Sequence, residues 1–131
     1  MSTQPLNPEI IRALVLDDCN VTLSDLMGNM RGGRIVFARS VIAVVLRDHT
    51  ELSYPEIGKL IGKRHSTIID AENRLRAGDH DTDACVILGC DTTAMDYANY
   101  VWVRADEKSK VYHDDRARLY RLGDGPGKGA A

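Results

Sequence analysis

Ser53-Tyr54-Pro55-Glu56, with Gly62 six residues beyond it, constrains the fold of this chain more than any other stretch. The spacing is that of a capping box, in which the serine hydroxyl accepts from the Glu56 N–H and the Glu56 carboxylate accepts from the Ser53 N–H. A helix is therefore predicted to start at Tyr54, with Pro55 in its first turn, where a missing N–H costs nothing. Ile57, Leu60 and Ile61 fall on its inner side, and Gly62 ends it. After Lys63-Arg64 a second helix is predicted from His65 to Arg76. It turns Ile68, Ala71 and Leu75 inward and Ser66, Thr67, Asp70 and Asn73 outward.

Two short helices joined by a tight glycine turn, the second opening on small hydroxyl side chains, have the layout of a helix-turn-helix. Short side chains at the start of the second helix allow close approach to base edges, and its positive dipole end favours phosphate. Helix-glycine-helix corners also occur in all-α proteins with no DNA partner, so charge must be weighed with the pattern. The formal net charge is only -2 over 131 residues, but it is unevenly spread. Residues 31–76 carry nine basic side chains (Arg31, Arg34, Arg39, Arg47, Lys59, Lys63, Arg64, Arg74 and Arg76) against five acidic ones, a surplus of four. Residues 1–30 hold one basic against four acidic, and residues 77–131 seven against ten. A local positive surface draws phosphates even on a slightly acidic protein. The plainer reading of the same charges is a solvated helical surface.

Asn7-Pro8-Glu9 reads as a helix start, and Ile10, Ile11, Leu14 and Val15 share one face of a helix running to about Asp18. A short second helix is capped by Thr22 and stopped near Gly28, and a basic, glycine-containing linker covers residues 29–33. Residues 35–48 form a longer helix with Ala38, Val41, Ile42, Val45 and Leu46 inward. Arg39 and Arg47, a little over two turns apart, lie on one outer side. The fold class is all-α, with the helix-turn-helix domain at residues 8–77, a flexible N-terminus at 1–7 and a polar, acidic linker at 78–83. Residues 84–122 form a C-terminal extension read as helical, although Tyr100-Val101-Trp102-Val103 leaves a hairpin open within 97–122. Residues 123–131 have too little apolar surface to order themselves.

Three cysteines, Cys19, Cys85 and Cys90, are odd in number and lack a metal-type repeat, and no signal-like apolar run follows the polar start. A reduced, cytoplasmic setting is expected, with no metal and no cofactor. Apolar runs fall short of the roughly 20 residues a membrane helix needs. No G-x-x-x-x-G-K-[ST] phosphate loop occurs in the sequence, and no nucleophile stands in a recognisable elbow, so neither an enzyme nor a small-molecule substrate is expected.

The residues go beyond the generic pattern. Arg34-Ile35-Val36-Phe37-Ala38-Arg39-Ser40-Val41, then Leu52-Ser53-Tyr54-Pro55-Glu56-Ile57-Gly58, then Gly62-Lys63-Arg64-His65-Ser66-Thr67-Ile68-Ile69-Asp70-Ala71 closely resemble the C-terminal DNA-binding domain (domain IV) of the bacterial replication initiator DnaA, over about residues 8–76. The resemblance implies a Trp-repressor-like helical arrangement and double-stranded DNA as partner, with DnaA-box-like sites as candidates. It places Arg31, with Arg34 close behind, in the minor groove, Arg39 and Arg47 on the backbone, and Pro55 beside phosphate, with Tyr54 also in the DNA-binding set. His65, Ser66 and Thr67 match the family's H-T-T triplet that reads bases, and one of the two hydroxyls is expected to cap the helix. Lys63, Arg64 and Asp70 complete the implied surface. Two positions depart from the family: Arg64 stands where an acidic residue is usual, and Ser40 where a glutamine often follows the arginine. An arginine at position 64 can pair with guanine O6 and N7.

A rival reading keeps the initiator-like fold but uses the acidic flanks to contact another protein that acts in replication or transcription. A combination is also open, with residues 8–76 on DNA and residues 84–122 on a protein partner or a second copy of the chain.

Overall fold

The computed structural model describes residues 7–29 and 31–122, with side chains through Lys108. Seven helices, and no strand, occur among the described residues: α1 (Pro8–Cys19), α2 (Leu23–Met27), α3 (Gly33–His49), α4 (Tyr54–Ile61), α5 (His65–Arg76), α6 (Asp81–Leu88) and α7 (Ala94–Leu122). The local signals act where the sequence puts them. Asn7 accepts from the Glu9 N–H and Thr22 from the Asp25 N–H, and both halves of the Ser53/Glu56 capping box are formed.

Helix α3 is the centre of the molecule. Phe37 through Leu46 are buried without interruption, because α1, α4, α5, α6 and α7 all pack against it. A helix surrounded in this way has no outer side. The expectation that Arg39 and Arg47 share an outer face is therefore corrected: Arg39 is 8% exposed, whereas Arg47, at the end of the helix, is open. On α5 the inward face is Ile68, Glu72 and Leu75, with Ala71 only half-buried.

The larger correction concerns the C-terminal part. Residues 78–83 are not a polar spacer, since Asp81, Thr82 and Asp83 are the first turn of α6 and His80 is 7% exposed. The carboxylates that made the segment look solvated are engaged. Asp81 accepts from the Ala94 N–H at 2.9 Å, and Asp83 faces His80 Nδ1 at 3.1 Å. The alternative of a hairpin within 97–122 resolves as one continuous helix, α7. Its Ala94, Tyr97, Ala98, Val101 and Ala105 recur at helical spacing and are all buried in the same core as α1 and α3. Tyr97 stacks on Phe37 with ring centroids 5.8 Å apart, and its hydroxyl donates to Asp18 at 2.7 Å. Arg104 donates to the same carboxylate at 2.6 Å. Burial beside Asp18 raises the Tyr97 pKa far above the ordinary tyrosine range and pushes the neighbouring Cys19 thiol up to about 12. No described helix is long and apolar enough to cross a membrane. Residues 1–6 of the expected flexible N-terminus and the expected disordered tail 123–131 lie outside the described residues.

Candidate nucleic-acid interface

Two glycines build the corner between α4 and α5. Gly62 ends α4 in the left-handed region at φ 78°, and a Cβ there would lie 3.0 Å from Met27. Gly58 is tighter still, because a Cβ on it would lie 2.4 Å from the Lys63 carbonyl oxygen. The bare Gly58 backbone lets the Lys63-Arg64 turn fold back onto α4, which sets α5 at its angle.

Helix α5 starts with Arg64 as N-cap residue, and no side chain caps it. The expectation that Ser66 or Thr67 provides the cap is thus corrected. Both lie inside the first turn and are exposed, as is His65. The polar side chains of His65, Ser66 and Thr67 consequently face solvent together at the start of α5. Pro55, Lys59, Lys63, Arg64, His65 and Ser66 line one open groove over this end. Further along α5, Thr67, Asp70 and Arg74 line a second cleft with Arg31 and Lys63, at whose base Arg39, Ser40 and His80 are buried. Lys63 belongs to both, so the two depressions form one surface.

The basic side chains on this surface are of two kinds. Arg31, Lys59 and Arg64 are exposed, and no hydrogen bond holds their side chains among the described residues. Arg39 is instead a structural tie. It donates to the Leu26 carbonyl at 2.9 Å, to Asp25 at 3.3 Å and to Gly28 at 2.9 Å, holding the end of α2 and the following loop against α3. Lys63 donates to the same Gly28 carbonyl. Burial and the neighbouring Arg39 and Arg31 charges lower the Lys63 pKa, and burial with Arg31 lowers that of Arg39. Three cations thus crowd one loop, and a phosphate placed there would relieve their repulsion.

The remaining residues singled out from sequence are placed as follows. Arg34 donates to the Cys19 carbonyl at 3.2 Å, at the end of α1. Ser40 is fully buried, donating to the Val36 carbonyl at 2.9 Å and lying 3.4 Å from His80 Nε2, so it offers nothing at the surface. Arg47 lies over the Tyr54 ring, 4.2 Å from its centroid, and the Tyr54 hydroxyl donates inward to Glu72 at 2.8 Å. Asp70 pairs with Arg74 at 3.2 Å on the open face of α5, which offsets a carboxylate that would otherwise repel phosphate. Arg74 itself was missed as a site residue. Its signal was present in the sequence, since it stands one turn beyond Asp70 and two beyond Thr67 on the same face. Glu72 was missed as well, and an acidic residue within an apolar stripe gives no such signal.

The family profile of the bacterial DnaA protein helix-turn-helix matches residues 8–75. Among curated proteins, the chain is 39% identical over 75 residues to the chromosomal replication initiator protein DnaA of Microcystis aeruginosa, covering 56% of this chain and 17% of that protein. It is 42% identical over 66 residues to that of Rippkaea orientalis, covering 50% and 15%. With the protein of the same name from Borrelia turicatae it shares 41% identity over 71 residues, covering 53% and 15%. The chain therefore spans about a sixth of the length of these relatives. Since the matched region takes in more than half of the 131 residues, this chain belongs to the bacterial DnaA helix-turn-helix family.

Proposed function

We propose that this chain binds double-stranded DNA sequence-specifically, with the N-terminal end of α5 in the major groove, and that it regulates replication or transcription by occupying DnaA-box-like sites. The observation that carries this reading is the exposed His65-Ser66-Thr67 triplet on an uncapped helix start, with His65 and Ser66 in the groove lined by Pro55, Lys59, Lys63 and Arg64, and Thr67 in the adjoining cleft with Arg31 and Lys63. Small polar side chains at the tip read base edges, and the surrounding cations fix the helix on phosphate. Arg31, exposed on the loop ahead of α3, takes the adjacent minor groove or backbone in this reading. Arg64, where the family's usual residue is acidic, favours guanine next to the bases read by His65.

Arg39 and Ser40 drop out of the contacting set, and Arg34 and Arg47 each give one bond to a backbone carbonyl, so Arg31, Lys59 and Arg64, together with Arg47 at the surface, are the principal phosphate partners. About four neutralised phosphates give a slope of log K against log salt of about -4. The test is selection from a random duplex pool, followed by titration of the preferred site and of random duplex. His65→Ala or Thr67→Ala is expected to cost about 1–3 kcal/mol on the preferred site and far less on random duplex. Arg47→Ala weakens both alike. Equal losses on the two duplexes for the α5 substitutions would show that α5 does not read sequence. The absence of any duplex binding at low salt would favour a protein partner instead. That second reading draws on the exposed Val86, Tyr100 and Val103 of α6 and α7, and light scattering of the chain alone tests its self-association form.

A further inference from the structure

Glu72 stands in the middle of the DNA-reading helix, yet it points away from the open face and is 7% exposed. A buried carboxylate between Ile68 and Leu75 on the inner side of α5 is costly unless donors surround it. Three do. The Tyr54 hydroxyl of α4 donates to Oε1 at 2.8 Å, and Arg76 donates to Oε2 through Nε at 3.0 Å and Nη2 at 2.6 Å. Arg76 extends the chain of contacts to α3, where its Nη2 meets Asp48 Oδ1 at 2.6 Å. Asp48 follows Arg47, whose guanidinium lies 4.2 Å above the Tyr54 ring. The contacts run from Arg47 through Tyr54, Glu72 and Arg76 to Asp48, and so return to the residue beside their starting point. They tie together the three helices α3, α4 and α5.

Apolar packing alone resists separation of helices but tolerates rotation and sliding. Directional bonds fix those two motions, because a phenol and a guanidinium fork must both keep their angles to one carboxylate. The near end of α5 is held by the Gly58/Gly62 turn, and Glu72 sits about two turns along the helix from the His65-Ser66-Thr67 tip. A second fixed point at that distance sets the rotation of the tip about the helix axis.

Resting on the proposed DNA-binding reading, we infer that Glu72 is a positioning residue for base readout, which fixes the rotation of α5 relative to the Arg47 phosphate anchor through the Tyr54 hydroxyl. It touches no DNA itself. Tyr54 thereby acts twice, its ring carrying Arg47 and its hydroxyl orienting α5.

The two functions of Tyr54 can be separated. Tyr54→Phe keeps the ring beneath Arg47 and removes only the bond to Glu72. Titration of the full chain on its selected duplex and on random duplex is expected to show the preference ratio falling by about 3–10-fold, the range of one lost hydrogen bond. Affinity for random duplex falls by less than affinity for the selected duplex, because the hydroxyl that is removed turns inward to Glu72 while the ring stays beneath Arg47. Glu72→Gln, whose single acceptor oxygen cannot serve Tyr54 and Arg76 together, also lowers the ratio, while Arg76 keeps its bonds to Asp48. In a Thr67→Ala background, where readout is already damaged, Tyr54→Phe is expected to change the ratio little, since both act on the same contacts. Circular dichroism confirms that each variant is folded. An unchanged ratio, an equal loss on both duplexes, or independent multiplication of the two substitutions overturns the inference and leaves Glu72 as a fold tie. A wild-type chain with no preference among duplexes overturns this inference and the DNA-reading proposal together. A wild-type preference that Tyr54→Phe leaves intact overturns this inference alone.

Discussion

The surface around α4 and α5 and the surface of α6 and α7 both carry many charges, and they use them in opposite ways. On the first, Arg31, Lys59 and Arg64 are exposed with no side-chain hydrogen bond among the described residues, and the start of α5 has no side-chain cap. On the second, three charged groups are tied into the fold: Asp81 holds the start of α7, Asp83 meets His80, and Arg104 closes on Asp18. Charge that is spent internally steadies a helix against the core. Charge left open is available to a ligand. Among the described residues the two surfaces overlie one core, to which α1, α3, α4, α5, α6 and α7 all contribute.

Cutting the chain after Gly78 breaks this comparison most severely. Seen from the sequence, a unit ending near there stands alone and keeps its DNA preference. The structure leads to the opposite outcome, because truncation uncovers Phe37 and removes the buried Tyr97, Ala98, Val101 and Ala105. Losing one buried aromatic side chain of this kind costs about 3–5 kcal/mol. That is a large part of the roughly 5–15 kcal/mol that keeps a domain folded. The truncated chain is expected to lose its cooperative melt by circular dichroism. A melt like that of the full chain would mean that α6 and α7 are peripheral.

Gly58→Ala is next in size. Its Cβ collides with the Lys63 backbone, which cannot yield as a side-chain tip does. A loss of about 1–3 kcal/mol is expected by chemical denaturation, accompanied by weakened duplex binding as the corner opens. Unchanged stability would show that the corner is not held as described.

Arg39→Ala sharpens the distinction between spent and open charge on the DNA-facing side. Removing three bonds to backbone carbonyls should cost about 1–3 kcal/mol of stability and loosen the loop that carries Arg31. Binding to both duplexes then falls together with the melting temperature. If affinity falls while the melting temperature holds and the salt slope shrinks by about one, Arg39 touches phosphate directly.

The smallest effect expected is a pH dependence at the junction of the two regions. His49, at the end of α3, stacks on Trp102 of α7 at 4.4 Å. Burial pushes its pKa below the ordinary 6.5, although Asp48 opposes the shift. The folded chain therefore resists a proton that the unfolded chain accepts. This contribution is complete above 6.5 and declines as pH falls through 6.5 to the folded value. Melting temperatures at about pH 7.5 and about pH 5.5 should differ less for His49→Phe than for the parent chain. An identical difference in the two would remove His49 as the cause. Glu56 adds loss in the same direction in more acid solution, since its capping bonds to Ser53 lower its pKa below the ordinary 4.5.

Local chemistry was legible in the sequence wherever the signal is local. The capping box at Ser53, the stop at Gly62, the start of α5 at His65 and the exposure of the His65-Ser66-Thr67 triplet depend on neighbours within a turn or two, and residue spacing encodes them. The match of residues 8–75 to the DnaA helix-turn-helix family likewise follows from residues read in order. Tertiary structure alone decided which charges are open. Arg39 and Arg47 look equivalent along a helical repeat, yet α3 is enclosed, so one serves carbonyls 11 to 14 residues away while the other stays at the surface. Ser40 is buried for the same reason, and Glu72 is matched by a phenol 18 residues distant. The acidic stretch at 78–83 read as a linker because composition counts carboxylates without showing that Asp81 caps a helix starting 13 residues later. Hydrogen-bond partners brought together by packing leave no periodic trace, and only the packed helices specify them.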